Sequence, residues 1–208
     1  MRIRITFSKT DAMRFTGHLD LYRTWERTLR RAGLPLAYSQ GFNPHPRINL
    51  AAALPLGFTS QGDILDVGLE QDLTAPDIES ALRQAAPPGI RIEQVQVIDD
   101  HLPTLQAVLQ ASEFTITFLE PFPELDASLA ELLQAETLPR ERRGKSYDLR
   151  RLVLELRRLP DDEQGHSRLF ARLTAREGAT GRPEEVVAAL GAVPEQTRVH
   201  RSRLVFTE

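Results

Sequence analysis

The 208-residue chain has room for one hydrophobic core or for two small ones of roughly 100 residues each. It contains no cysteine, which excludes disulfides, thiolate zinc sites, cysteine nucleophiles and cysteine-held iron–sulfur clusters. Its net charge of −3 conceals a strong segregation: residues 1–62 carry 9 basic and 3 acidic side chains, 63–136 carry 2 and 15, and 137–208 carry 15 and 11. A polyanion meets such local patches, so a mildly acidic chain is not thereby excluded from nucleic acid. No run approaches the ~20 apolar residues of a membrane span. The start, Met1-Arg2-Ile3-Arg4-Ile5-Thr6-Phe7, alternates where a secretory signal is continuously apolar. A cytoplasmic protein with no membrane partner is expected.

Ile3, Ile5 and Phe7 fall on one face of a strand over residues 2–9. Thr16 can cap a helix over 17–32, whose core arc holds Leu21, Tyr22, Trp25, Leu29 and Ala32; Gly33, Leu34 and Pro35 end it. A loop over 38–47 leads into an extended 48–50, and 64–69 is a strand. Thr74 to Asp77 opens a helix over 76–86, with Pro76 tolerated in its first turn, and 90–98 is a strand. Residues 99–112 read as a connection. Strands are then predicted at 113–119 and 167–175, and helices at 123–135 and 182–190. A closing strand spans 197–206. Residues 147–159 hold one or two strands, with a helix as the rival because the leucines are unevenly spaced. Each half thus reads β-α-β-β-α-β, and the expected fold is α+β: tandem ferredoxin-like units over 1–98 and 113–208.

Arg23, Arg27, Arg30 and Arg31 occupy an arc of about 100° opposite the helix core face. Four cations so placed repel one another unless Asp20, Glu26 or a bound anion lies across them. The face is either an anion-binding surface or a solvated helix side with ordinary ion pairs. In Gly41-Phe42-Asn43-Pro44-His45-Pro46-Arg47, two residues precede proline and are held extended. Alternate side chains then send Asn43, His45 and Arg47 to one side. That stiff loop suits a polar or anionic group, and otherwise serves as a rigid crossover. His18 and Asp20 form a pair able to act as acid and base, though a capping or half-buried histidine is the plainer reading. No metal site and no resident cofactor are expected: no His-x-x-x-His spacing, Walker loop, dinucleotide fingerprint or nucleophile elbow is present.

The runs Arg14-Phe15-Thr16-Gly17-His18-Leu19-Asp20-Leu21, Arg30-Arg31-Ala32-Gly33-Leu34-Pro35, Tyr38-Ser39-Gln40-Gly41-Phe42-Asn43-Pro44-His45-Pro46-Arg47-Ile48 and Leu54-Pro55-Leu56-Gly57 resemble the uncharacterised radical SAM-linked protein family. Members of that family stand alone or form the C-terminal part of larger radical SAM proteins. The resemblance is strong over about residues 5–68. It implies a radical SAM protein as partner. A radical SAM centre needs three cysteine thiolates on its cluster, so this chain is expected to be the accessory or substrate-presenting half.

The leading expectation is therefore a module binding RNA or another anionic ligand through Arg23, Arg27, Arg30, Arg31, Tyr38, Ser39, Asn43, His45 and Arg47. Exposed Tyr38 and Phe42 would stack on bases, unless Phe42 is core. One alternative is a hydrolase or nuclease-like enzyme in which His18 and His45 act as acid and base with Asp20. Another is an adaptor whose acidic middle third docks a basic partner. Convergence of His18, Asp20 and His45 in one cleft would favour the enzyme; dispersal over an open basic face would favour binding.

Overall fold

Alternation at the N-terminus produces β1 (Arg2–Lys9), with Ile3, Ile5 and Phe7 wholly buried and Arg2, Arg4 and Thr6 on the other face. The computed structural model describes residues 1–142 and 144–207. By contacts the chain divides into two compact units, Met1–Val108 and Leu109–Glu208.

In the first unit a short 3₁₀ turn follows β1, and then α1 (His18–Arg31). Leu21, Trp25 and Leu29 are buried, and Arg23, Arg27, Arg30 and Arg31 are exposed, in the predicted helix phase. The cap is a correction. Gly17, not Thr16, is the N-cap, and no side chain caps the helix. The Thr16 carbonyl instead accepts a 2.8 Å hydrogen bond from Nζ of Lys9, a fully buried lysine that ties the approach to α1 onto the end of β1. The short β2 (Ile48–Leu50) precedes β3 (Thr59–Gly68). β3 starts well before the expected residue 64. Its polar first half pairs with β1, and Ser60 and Asp63 are buried there with the Ser60 hydroxyl donating to Asp63 at 2.8 Å. A buried polar pair does not look like a strand in a hydropathy pattern. Next come α2 (Ala75–Ala85), capped by Thr74, and β4 (Ile90–Ile98). Strand neighbours run β4-β1-β3-β2, all antiparallel. Both helices contribute to a single core with β1, β3 and β4. The opposite sheet face is polar, carrying Arg2, Arg4, Asp66 and Asn49. Residues 105–108, read as connection, form the one-turn α3 (Leu105–Val108).

The second unit begins with β5 (Leu109–Phe118), so residues 109–112 are strand rather than linker. α4 (Leu125–Gln134) follows, then a hairpin of β6 (Pro139–Arg142) and β7 (Lys145–Asp148) that the hydrophobic pattern did not reveal. A 3₁₀ turn at Leu149–Leu152 separates it from β8 (Val153–Leu159). That turn explains the uneven leucines and disposes of the rival helix. β9 (Arg168–Arg176), the two-residue β10 (Ala179–Thr180), α5 (Pro183–Ala189) and β11 (Thr197–Phe206) complete the unit. Neighbours run β11-β5-β9-β8, again antiparallel throughout, with β10 also on β9. This is the strand order of the first unit, so the fold is α+β with tandem ferredoxin-like units. Among the described residues no helix is long and apolar enough to cross a membrane.

Candidate functional site

Residues 37–47 close into a hairpin instead of running extended. The Arg47 N–H donates to the Ala37 carbonyl at 2.8 Å, the Ser39 N–H to the His45 carbonyl at 2.9 Å, and the His45 N–H to the Ser39 hydroxyl at 3.0 Å. Tyr38 bridges Pro46 across the stem, and the chain bends through 40–43. Gly41, with φ 144°, supplies the conformation that an L side chain avoids. The stem is fastened at its base, where the Ala37 N–H donates to the Gly68 carbonyl at 2.9 Å and the Gly68 N–H to the Arg47 carbonyl at 2.8 Å. A Cβ on Gly68 would lie 3.2 Å from that of Arg47, so glycine permits this approach. The Tyr22 hydroxyl of α1 donates to the Pro46 carbonyl at 3.4 Å. Burial, and then the Glu26 carboxylate, raise the pKa of that phenol and keep it a neutral donor.

Beneath the hairpin lies a cleft of about 440 Å³. Ser39, His45 and Arg47 line one wall and Asp100, Leu102 and Thr104 the other; Arg2, Asn49 and Asp66 form part of the floor. Asp66 is nearly fully buried. It accepts from Arg4 Nε at 2.8 Å, from a second Arg4 nitrogen at 3.0 Å and from Arg2 at 2.6 Å. Arg2 also donates to the carbonyls of Leu102 at 2.7 Å and Pro103 at 3.2 Å, which ties the second wall to the floor. Arg2 and Asp66 are therefore committed to each other and to the frame. Arg47 is exposed and makes no ion pair among the described residues.

The sequence-nominated residues do not form one constellation. Asn43 is exposed at the hairpin tip and does not line the cleft that His45 and Arg47 share, because the bend at 40–43 breaks the alternation assumed for an extended loop. His18 is the first residue of α1 and Asp20 is exposed, paired with Arg23 at 3.3 Å; neither lines the cleft. On α1, Glu26 pairs with Arg30 at 2.7 Å, while Arg27 and Arg31 have no carboxylate partner among the described residues. Phe42 is not core: it is fully exposed at the tip, and Tyr38 is 37% exposed on the stem. Sequence reasoning missed the floor of the cleft. Its signal was a single aspartate inside the apolar run Ile64-Leu65-Asp66-Val67, facing the alternating Arg2 and Arg4. Among the described residues no group of three or more His, Asp or Glu is placed to hold a metal ion.

No curated protein matches the sequence. Among solved structures, the chain is similar to a chain of the crystal structure of a Cbf5–Nop10–Gar1 complex, at 12% identity and a TM-score of 0.52, covering 97% of this chain and 48% of that one. A chain of the archaeal box H/ACA sRNP Nop10–Cbf5 complex matches at 13% identity and a TM-score of 0.45, covering 97% and 47%. The present chain thus spans about half of each matched chain, and at these identities the first likeness is one of fold alone. A family model matches residues 2–183, and the chain belongs to that family, DUF2344, described as an uncharacterized protein conserved in bacteria.

Proposed function

We propose that this protein binds an anionic ligand, RNA foremost, and presents it to a radical SAM partner. The observation that carries the reading is Phe42, fully exposed at the tip of a hydrogen-bonded hairpin whose returning strand bears the unpaired Arg47. A phenyl ring held clear of the protein on a hydrogen-bonded hairpin leaves both faces open to stack on a planar group, and a nucleic-acid base is a planar group that arrives with a phosphate. A base stacking on such a ring contributes about 1–3 kcal/mol, while cations alongside take the phosphates. Tyr38 on the stem and the unpaired Arg27 and Arg31 on α1 supply more of the same chemistry. The radical SAM partner is supported by the resemblance over residues 5–68. Lacking cysteine, the chain leaves the cluster to that partner. The enzyme reading loses ground because His18 and Asp20 do not share the cleft with His45.

The test is fluorescence anisotropy with a labelled single-stranded RNA oligonucleotide. Phe42→Ala should weaken binding about 5- to 150-fold, the equivalent of the stacking range, with an unchanged melting temperature because the Phe42 ring is fully exposed. Equal affinity of variant and parent would remove the hairpin from the interface. Capture of a cluster-bearing protein on the immobilised chain checks the partner.

A further inference from the structure

We infer that the cleft beneath the hairpin seats a single nucleotide, its phosphate at Arg47 and its base edge toward Asn49; this rests on the RNA reading above and names what the site selects. The volume, about 440 Å³, lies in the range of small-ligand sites. The charges decide the class. Of the two lining arginines, Arg2 is consumed by Asp66 and by two carbonyls, leaving Arg47 as the cation able to meet an incoming anion. Asp100, largely exposed, lies 3.6 Å from the N-terminal ammonium of Met1, which also lines the cleft, so these two charges offset each other and add no free cation for a second phosphate. A di- or triphosphate would need more uncompensated positive charge than this cleft holds. One phosphate with a neutral polar body matches it.

The neutral polar body has its counterpart in Asn49. This residue sits on β2 directly across from Asp66, and its Oδ1 is buried without a hydrogen-bond partner among the described residues. Buried polar atoms are almost always satisfied, so an orphan on a residue lining the cleft marks a group awaiting a donor. The terminal amide torsion is soft, and a side-chain amide offers the paired donor and acceptor that match a base edge. Ser39 and His45 add further hydrogen-bonding groups from the hairpin wall. The hairpin therefore has two faces of use: an exposed aromatic tip for neighbouring bases, and a stem that walls the seat of one nucleotide.

The experiment titrates the full chain with each of the four ribonucleoside monophosphates, ribose 5-phosphate and inorganic phosphate, following the backbone amide resonances of Ser39, His45, Arg47 and Gly68. At least one nucleotide should bind tenfold or more tightly than inorganic phosphate. Arg47→Ala should weaken every phosphate-bearing probe by a similar factor. Asn49→Ala should erase the preference among bases and leave inorganic phosphate unaffected, with the uncharged Asn49→Ser used if the alanine variant does not fold. Equal binding of phosphate and all nucleotides, or shifts confined to α1, overturns the inference. If RNA oligonucleotides bind the parent chain and are weakened by Phe42→Ala while no mononucleotide enters the cleft, the seat is wrong and the RNA reading stands. If no oligonucleotide binds, the RNA reading itself falls.

Discussion

Trp25 is the residue on which the orientation of α1 depends. It is fully buried, and its ring meets Phe7 edge-on with centroids 4.7 Å apart. Had it been exposed, the arginines would have faced the core. Its Nε1 is buried with no hydrogen-bond partner among the described residues, so the indole gains packing and forfeits a hydrogen bond. Trp25→Ala should cost about 3–5 kcal/mol in urea unfolding, the usual range for emptying an aromatic site. Trp25→Phe should cost much less, since it removes the orphan N–H along with part of the volume. A similar loss for both would mean that the removed volume does not set the cost and that the indole itself is required at this position. Lys9 is a charged residue without an ordinary surface role: its ammonium is enclosed and donates to the Thr16 and Arg14 carbonyls at 2.8 and 3.4 Å. Nothing in the hydropathy pattern distinguishes such a lysine from an exposed one, which is why the sequence reading passed over it.

At the scale of elements, regular helices were legible and short polar pieces were not. The amphipathic period of α1 and the Thr74 cap of α2 are local signals, and both elements lie where they were predicted. The β6–β7 hairpin has no buried face to generate a pattern, and the buried positions in the first half of β3, Ser60 and Asp63, are polar. What fixes that hairpin to the rest of its unit is Asp148. Its carboxylate accepts from the Leu138 N–H at 2.8 Å and the Arg150 N–H at 3.0 Å, joining the start of the hairpin to the 3₁₀ turn after it. The Leu138 N–H is the main reason its pKa is lowered. The sign follows from linkage: with the folded pKa depressed, the stabilisation is complete above the unfolded value and is lost as pH falls through the folded one. The Leu138 and Arg150 amide resonances should therefore titrate together, below the ordinary aspartate range. Asp148→Asn should abolish that step. A midpoint at or above the ordinary value would contradict the hydrogen bonding described.

At the scale of the whole molecule, the strand order of each unit was legible because each half repeats one succession of elements, whereas the cleft was not. It is made by tertiary hydrogen bonds between residues far apart in sequence, such as Arg2 with Asp66 and with the 102–103 carbonyls. Charge is the property that a partner senses first at this scale. The chain as a whole carries −3, the same sign as RNA. Beyond a Debye length of about 8 Å at physiological salt that repulsion is screened, and the local arginines govern contact. For single strands log K falls with log salt at about 0.7 per neutralised phosphate. Arg27, Arg31 and Arg47 are uncommitted and would give a slope near −2. Adding Arg23 and Arg30, already paired with Asp20 and Glu26, would bring it to about −3.5. Anisotropy titrations of a single-stranded RNA across a salt series should fall between these limits. The double variant Arg27→Ala/Arg31→Ala should flatten the slope by about 1.4 without moving the melting temperature, since both side chains are exposed. A slope near zero in the parent, or an unchanged slope in the double variant, would leave the arginine face as nothing more than a solvated helix side.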